Sequence, residues 1–325
     1  MANKKYYSCY WLNSGIHFTS KNIRFCCYEY LHSKKENIII DNYGGRFIDY
    51  DKYFSFKNQY KTLAKQGNIH PNCKGCIYLE EEEWDDSNFF DHFLFNHWLN
   101  CNSKCIYCGQ AYLFEHLKRQ YYNVYPVLMD MKKNNLIKAT NSSCVVFGGG
   151  EPTLLKEFEN LINFFSNEGF KNIRVNSSGI RYSNSLENAL KEGIASLVIS
   201  PDSGTRDLYK TIKRVDMFDV VWKNISKYSL NSKFDDSVKA KYILINSVND
   251  NKSHIDNFFK QCIKYNVRSV SLSVEQHWYD REFPEMSERV YDLISYFEQK
   301  AIELKLSIEL YCEAISILKN RKLTN

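Results

Sequence analysis

Cys101, Cys105 and Cys108 stand in the run C-N-S-K-C-I-Y-C, a CxxxCxxC spacing directly after an apolar stretch. Thiolates this close together can hold a cubane iron–sulfur cluster. A fourth cysteine would close its coordination, whereas three leave one iron free to bind something else. An open position separates a reactive metal site from a structural one. A second run, Gly148-Gly149-Gly150-Glu151-Pro152, follows the strand-like segment 143–147 and precedes the helical segment 154–165. Glycine is scarce here, 13 in 325 residues, so three in a row need a reason. Glycine lets backbone approach a ligand closely and takes φ values other residues avoid. Placed there, these groups line the C-terminal end of a strand, the end at which ligands bind in barrel-like α/β folds. An ordinary turn is the competing reading of the glycine run taken alone.

Together the two runs resemble the radical S-adenosylmethionine (SAM) superfamily. Its CxxxCx-aromatic-C loop follows the first barrel strand, and its GGEP-type motif follows the second. Cys101, Cys105, Tyr107, Cys108 and Gly149-Gly150-Glu151-Pro152 match those motifs, and the resemblance extends over roughly residues 90–280. It implies a [4Fe–4S] cluster whose open iron chelates the amino and carboxylate groups of SAM. Reduction then cleaves SAM to methionine and a 5′-deoxyadenosyl radical, which removes a hydrogen from the substrate. It also implies an electron donor such as flavodoxin or ferredoxin.

The elements that must position these motifs read as alternating strands and helices. Strands are predicted at 93–99, 144–147, 172–176, 196–200, 238–245 and 269–274. Helices are predicted at 113–131 and 154–165, with Ser253-x-x-Asp256 as a capping box for a later one. Val290, Leu293, Ile294, Phe297, Ala301 and Leu304 mark a final helix. Six βα units predict an α/β fold, a partial (β/α)6 TIM-like barrel. The expected division is a cysteine-rich region at 1–88, the core barrel at 89–282 and a barrel-closing segment at 283–325.

Further positions follow from the resemblance. Ser177, at the end of the third strand, and Ser200 and Asp202, after the fourth, fall where the family contacts SAM. Tyr107 is placed near the adenine through its backbone. Lys210, Lys213 and Arg214 are candidates for neutralising the SAM carboxylate, with a solvated helix face expected for at least two. The plain alternative for Ser177, Ser200 and Asp202 is turn chemistry. The family's glycine-rich motif on the fifth strand is not recognisable.

Residues 1–88 carry Cys9, Cys26, Cys27, Cys73 and Cys76. Cys73-Lys74-Gly75-Cys76 is a CxxC turn suited to chelating one metal, and Cys9 with Cys26 or Cys27 would complete a closed site. Gly15 and the I-R-F-C-C run resemble pieces of the SPASM or twitch auxiliary-cluster modules, which usually follow the core rather than precede it. The expectation is a second, auxiliary [4Fe–4S] cluster. Structural zinc is the alternative, since it too accepts four thiolates. A zinc ribbon pairing Cys73/Cys76 with Cys105/Cys108 would span 28 intervening residues, beyond the usual gap of about 15–20. Cys144, Cys262 and Cys312 sit within strand or helix patterns and read as core residues.

Bulk properties narrow the class. A formal charge of +5 over 325 residues gives no argument for nucleic-acid binding, and the charges are interspersed. No apolar run approaches membrane-spanning length and the N-terminus lacks a signal-peptide core, so a cytoplasmic enzyme is expected. Clustered cysteines in a chain this long favour metal ligation in a reducing compartment over disulfides. His97, Asn100, Lys241, Glu275 and His277 are candidates to face the substrate, with Tyr311 and Glu313 closing the barrel's open side. Trp98, Trp278 and Tyr279 are candidates to shield a radical from solvent. The expected substrate is a peptide or a sugar-like small molecule. The rival class is a non-catalytic iron–sulfur or zinc scaffold, distinguished by an inability to cleave SAM.

Overall fold

The computed structural model describes residues 5–20, 22–26, 39–42, 48–74, 76, 78–84, 88–108, 122–275 and 288–310. The chain forms two compact units. The first comprises Met1–Trp98, Gln120–Gly149 and Asn163–Ile173, and the second comprises Leu99–Arg119, Gly150–Ile162 and Arg174–Asn325.

In the first unit, β1 (Tyr6–Ser8) pairs antiparallel with β5 (Glu80–Glu82). A larger run has the order β7 (Cys144–Phe147), β6 (His92–Asn96), β2 (Gly15–Thr19), β3 (Asn22–Arg24) and β4 (Ile39–Asn42). The β7–β6–β2 part is parallel and the β2–β3–β4 part antiparallel. Helices α1 (Tyr10–Ser14), α2 (Tyr50–Lys65) and α3 (Tyr125–Lys133) accompany it. The period-two rule of strands explains the packing. Phe93 and Phe95 of β6 are both buried, and Phe95 stacks on Phe18 at 5.1 Å and on Phe147 at 4.9 Å.

In the second unit the order is β12 (Ser307–Leu310), β11 (Ser269–Val274), β10 (Val238–Leu244), β9 (Ala195–Ile199) and β8 (Ile173–Ser177). β9 to β12 pair in parallel. Parallel neighbours need crossovers. Here they include α5 (Asn184–Glu192), α6 (Arg206–Lys213), α7 (Phe218–Asn231), α8 (Lys252–Lys264) and α9 (Glu288–Glu303). Helix α4 (Phe158–Asn167) follows β7. Every residue of β11 is buried, as expected of a parallel strand covered on both faces. The fold is α/β, a mostly parallel sheet with the strand–helix alternation of a partial TIM-like barrel. Among the described residues, no helix is long and apolar enough to cross a membrane.

All six predicted strands are present, displaced by at most a few residues at their ends. Three local predictions need correction. The described part of the helix expected at 113–131 begins only at Tyr125, and residues 109–121 lie outside the described ones. The helix expected from 154 begins at Phe158, because Pro152–Leu154 first forms a 3₁₀ turn capped by the Glu151 side chain. The helix expected to start at a Ser253 capping box starts at Lys252, capped by Asn251, whose side chain accepts from the His254 N–H. Six strands lie outside those expectations, β1 to β5 and β12, and two of them extend the parallel pairing. β2 lies parallel to β6, with Ile16 and Phe18 fully buried, and β12 lies parallel to β11.

Candidate functional site

The cysteine loop, 101–108, lies in the second unit and is held by backbone. The Lys104 N–H donates to the Lys213 carbonyl at 3.0 Å, and the Ile106 N–H to the Ile212 carbonyl at 3.0 Å. Those carbonyls end α6, where a helix has no internal partners for them. Ile106 and Tyr107 pack against Ile212, Ile243 and Ile245. The loop is therefore anchored independently of its thiols. Cys101 is exposed by area, yet the protein around its sulfur desolvates the thiol and pushes it up to about 11. Glu151, Cys105 and Cys108 add to that shift. Burial likewise raises the Cys105 thiol, with the Lys213 ammonium opposing and Asp202 and Cys108 reinforcing. The three sulfurs thus feel one another electrostatically. Among the described residues, no three His, Cys, Asp or Glu side chains converge on a single-ion site. In a cubane cluster each thiolate takes its own iron, so convergence on one point is not required. Metal would displace the thiol protons that burial retains.

The glycine run brings backbone against the residues just before this loop. Gly149 has φ +84°, and a Cβ there would lie 2.8 Å from the Trp98 carbonyl oxygen. At Gly150 a Cβ would lie 2.3 Å from the Asn100 carbonyl oxygen, which also accepts the Glu151 N–H at 2.8 Å. Glu151 is buried, 1% exposed, and its carboxylate is fully engaged on one side. Oε1 accepts from the Thr153 N–H at 3.1 Å, the Thr153 hydroxyl at 2.7 Å and the Ser177 hydroxyl at 2.8 Å. Oε2 accepts from the Ser178 N–H at 2.5 Å. The Ser178 hydroxyl donates to Asn102 of the cysteine loop at 2.9 Å. Glu151 and the end of β8 are thereby tied to the loop. Glu151→Gln places an amide NH2 on one of these donor-facing sites. We expect a loss of about 1–3 kcal/mol in chemical-denaturation stability of the apo protein, the cost of one buried polar group left facing a like partner.

Asp202 is fully buried, with φ +55°, a left-handed conformation uncommon outside glycine. Its Oδ1 accepts from the Ile243 N–H at 2.9 Å, and its Oδ2 accepts from the Tyr107 hydroxyl at 2.6 Å and from Lys213 Nζ. Lys213 Nζ also donates to the Tyr107 hydroxyl at 2.6 Å. The Asn249 amide donates to the Asp202 carbonyl at 3.1 Å. Of the three cationic candidates, Lys210 and Arg214 are exposed, and Lys213 is buried in this ion pair. Ser200, at the end of β9, is partly exposed. Cys101–Cys108, Gly150, Glu151, Ser177 and Asp202 thus meet within one unit.

The N-terminal thiols gather in the first unit. Cys9, Cys26, Cys73 and Cys76 line one small cavity together with Trp11, Leu12, Phe25, Asn72, Tyr78 and Leu79. Burial pushes the Cys9 thiol up to about 12, opposed by the Leu12 N–H that bonds its sulfur and reinforced by Cys26, Cys73 and Cys76. The Cys76 N–H donates to the Cys73 carbonyl at 3.0 Å, forming the expected turn. Cys27 lies outside the described residues, as do Cys312, His277, Trp278, Tyr279, Tyr311 and Glu313. His97 is fully buried beside Phe95 and Tyr122, and Cys262 is buried in α8. The Glu275 carboxylate accepts from the Asn246 N–H at 3.0 Å. Asn100, a candidate to face the substrate, instead serves here through its backbone carbonyl, and Asn102, Thr153, Ser178 and Asn249 join the site with no signal in the sequence. Their roles depend on backbone carbonyls or short polar side chains, which carry no spacing signal.

A parallel α/β sheet carrying a three-cysteine loop beside a glycine-rich turn defines an iron–sulfur enzyme class. The chain belongs to the radical SAM superfamily, whose family model matches residues 95–259. It is a superfamily of enzymes that cleave SAM reductively with a [4Fe–4S] cluster. A GTP 3′,8-cyclase of Clostridium botulinum (strain Okra / Type B1) is 29% identical over 178 residues, covering 53% of this chain and 53% of the cyclase. A GTP 3′,8-cyclase of Haemophilus influenzae (strain PittEE) is 28% identical over 156 residues, covering 46% and 44%. The chain spans about half the length of the curated relatives it matches. Among solved structures, Streptococcus suis SuiB bound to S-adenosylmethionine matches with a TM-score of 0.52 at 14% identity. It covers 84% of this chain and 57% of that one, a likeness of fold.

Proposed function

We propose that Cys101, Cys105 and Cys108 hold the [4Fe–4S] cluster and that Tyr107, Gly149, Gly150, Glu151, Ser177, Ser200 and Asp202 form or support the SAM pocket beside it. The observation that carries this reading is the bond of Glu151 to Asn100 together with that of Ser178 to Asn102. These join Glu151 and the β8 turn to the cysteine loop in one unit. When bound, such a cluster supplies an open iron for SAM and the electron that cleaves it. The chain's own work is to hold the loop, to let backbone approach at the two glycines, and to present polar groups on one side of the pocket. A radical reacts with the nearest C–H bond, so selectivity comes from positioning.

The sequence suggests a peptide or a sugar-like molecule, whereas the names of the curated relatives favour GTP over both. GTP is therefore the first substrate to test. Anaerobic reconstitution with SAM, a flavodoxin- or ferredoxin-type donor and deuterated GTP should place label in 5′-deoxyadenosine. Label from a peptide or sugar arm instead would move the substrate class and leave the radical chemistry standing. SAM cleavage absent from every arm, including reductant alone, would favour the scaffold reading.

We also propose that the 1–88 region holds an auxiliary [4Fe–4S] cluster on Cys9, Cys26, Cys73 and Cys76, with Cys27 as the alternate fourth ligand. The four thiols lining one cavity support it. Reconstituted protein lacking the three core cysteines should retain about four irons, the content of one cubane cluster. Zinc found in their place would favour a structural site, and no metal at all would refute both.

A further inference from the structure

Lys213 is the one cation among the candidates that the fold buries, and burying an ammonium is costly unless it is paired. It is 4% exposed, ion-paired to Asp202 and hydrogen-bonded to the Tyr107 hydroxyl, with its Nζ 5.0 Å from the centre of the Tyr107 ring. Its backbone carbonyl accepts the Lys104 N–H, one residue before Cys105. One residue therefore grips the cysteine loop twice, through its carbonyl and through its side chain. Asp202 is in turn fixed by the Ile243 N–H and the Asn249 amide, so the pair cannot relax away from the loop.

We propose that Lys213, paired to Asp202 and Tyr107, is a positioning residue that sets both the seat of the cysteine loop and the charge behind it, favouring the reduced state of the cluster assigned to that loop. The inference rests on the assignment of the cluster to Cys101, Cys105 and Cys108. Adding an electron makes the cluster more negative. A fixed positive charge nearby stabilises that state and a fixed negative charge opposes it. Lys213 and Asp202 should therefore push in opposite directions. Both are shielded from solvent, with side chains 5% and 0% exposed, so salt screens them little. This function differs from neutralising a SAM carboxylate, which would show only when SAM is present.

The test is potentiometric titration of the reconstituted full-length protein without SAM, following the electron paramagnetic resonance of the reduced cluster. The background carries Cys9→Ala, Cys26→Ala, Cys73→Ala and Cys76→Ala to silence the other site. Lys213→Met should lower the ratio of reduced to oxidised cluster at least about tenfold at a fixed potential, equivalent to about 59 mV for one electron. Asp202→Asn should shift the ratio the opposite way, and Lys213→Arg should stay near the parent. If Lys213→Met fails to take up iron, an upward shift in Asp202→Asn with an unchanged Lys213→Arg still supports the charge role. Shifts of Lys213→Met and Asp202→Asn in the same direction, or no shift in either, overturn it. If the parent forms no cluster on the core loop, the cluster assignment itself falls, and this inference with it.

Discussion

Replacing Cys101, Cys105 and Cys108 together by Ala is expected to reduce SAM cleavage to background, a loss of at least roughly 10⁴-fold given the 10⁶-fold or greater accelerations typical of enzymes. Ala is chosen because a Ser could still offer a weak oxygen ligand. The variant should fold, because the loop is held by the Lys104 and Ile106 amides on the carbonyls of Lys213 and Ile212 rather than by its thiols. Its apo form should therefore unfold within a few degrees of the parent, a shift of under about 1 kcal/mol. Iron content should drop by about four atoms per chain. The measurements are 5′-deoxyadenosine release under a strong reductant, iron per chain, and thermal melting of the apo protein. Undiminished cleavage would remove the core cysteines from the reaction. A collapsed melting curve would instead show that the thiols carry structure.

The fold was largely legible because each strand that builds it carries its own pattern. Cys144–Phe147 and Ser269–Val274 are short runs of apolar or small residues, and the expected bounds of both match the structure to the residue. β2 was hidden. Gly15–Thr19 holds two polar residues, His17 and Thr19, that are buried only because Asn96 and Asn22 meet them with hydrogen bonds. Nothing in a five-residue window announces such partners. β12 was missed for the opposite reason: Ser307–Leu310 is a partly exposed edge strand, so its apolar content is low. At the site, spacing revealed the residues with intrinsic chemistry, the cysteines and the glycine run. It did not reveal how Glu151 or Asp202 would be used. Glu151 reads as a cofactor ligand in sequence, and in the fold it first organises Thr153, Ser177 and Ser178. Asp202 reads as a turn residue or a SAM contact, and the fold gives it the Lys213 ammonium, which lies eleven positions along the chain. The Ile243 N–H that also holds Asp202 comes from β10, the strand beside β9, and residue types alone do not encode that strand order.

Replacing Gly150 by Ala should have a large effect although it removes no chemical group. The new Cβ would stand 2.3 Å from the Asn100 carbonyl oxygen, 2.7 Å from the Leu99 carbonyl carbon and 2.9 Å from the Asn100 carbonyl carbon. All three are backbone atoms, so no side chain can swing aside to relieve the contact. The Asn100 carbonyl must retreat, and with it goes the bond it accepts from the Glu151 N–H at 2.8 Å. Cys101 is the next residue after Asn100, so the retreat also moves the first thiol relative to Glu151. Overpacking of this kind costs about 1–3 kcal/mol, and a displacement of about 1 Å at a reacting centre can cost about 100-fold in rate. Gly150→Ala is therefore expected to melt several degrees below the parent, to keep most of its iron, and to cleave SAM about 100-fold more slowly. Retained iron is the telling part of the result, because it separates a shifted pocket from a lost cluster. Full activity with an unchanged melting temperature would mean that the backbone of residues 99–101 is not fixed against the glycine run, and the close approach that joins the two motifs would no longer explain why three glycines stand there.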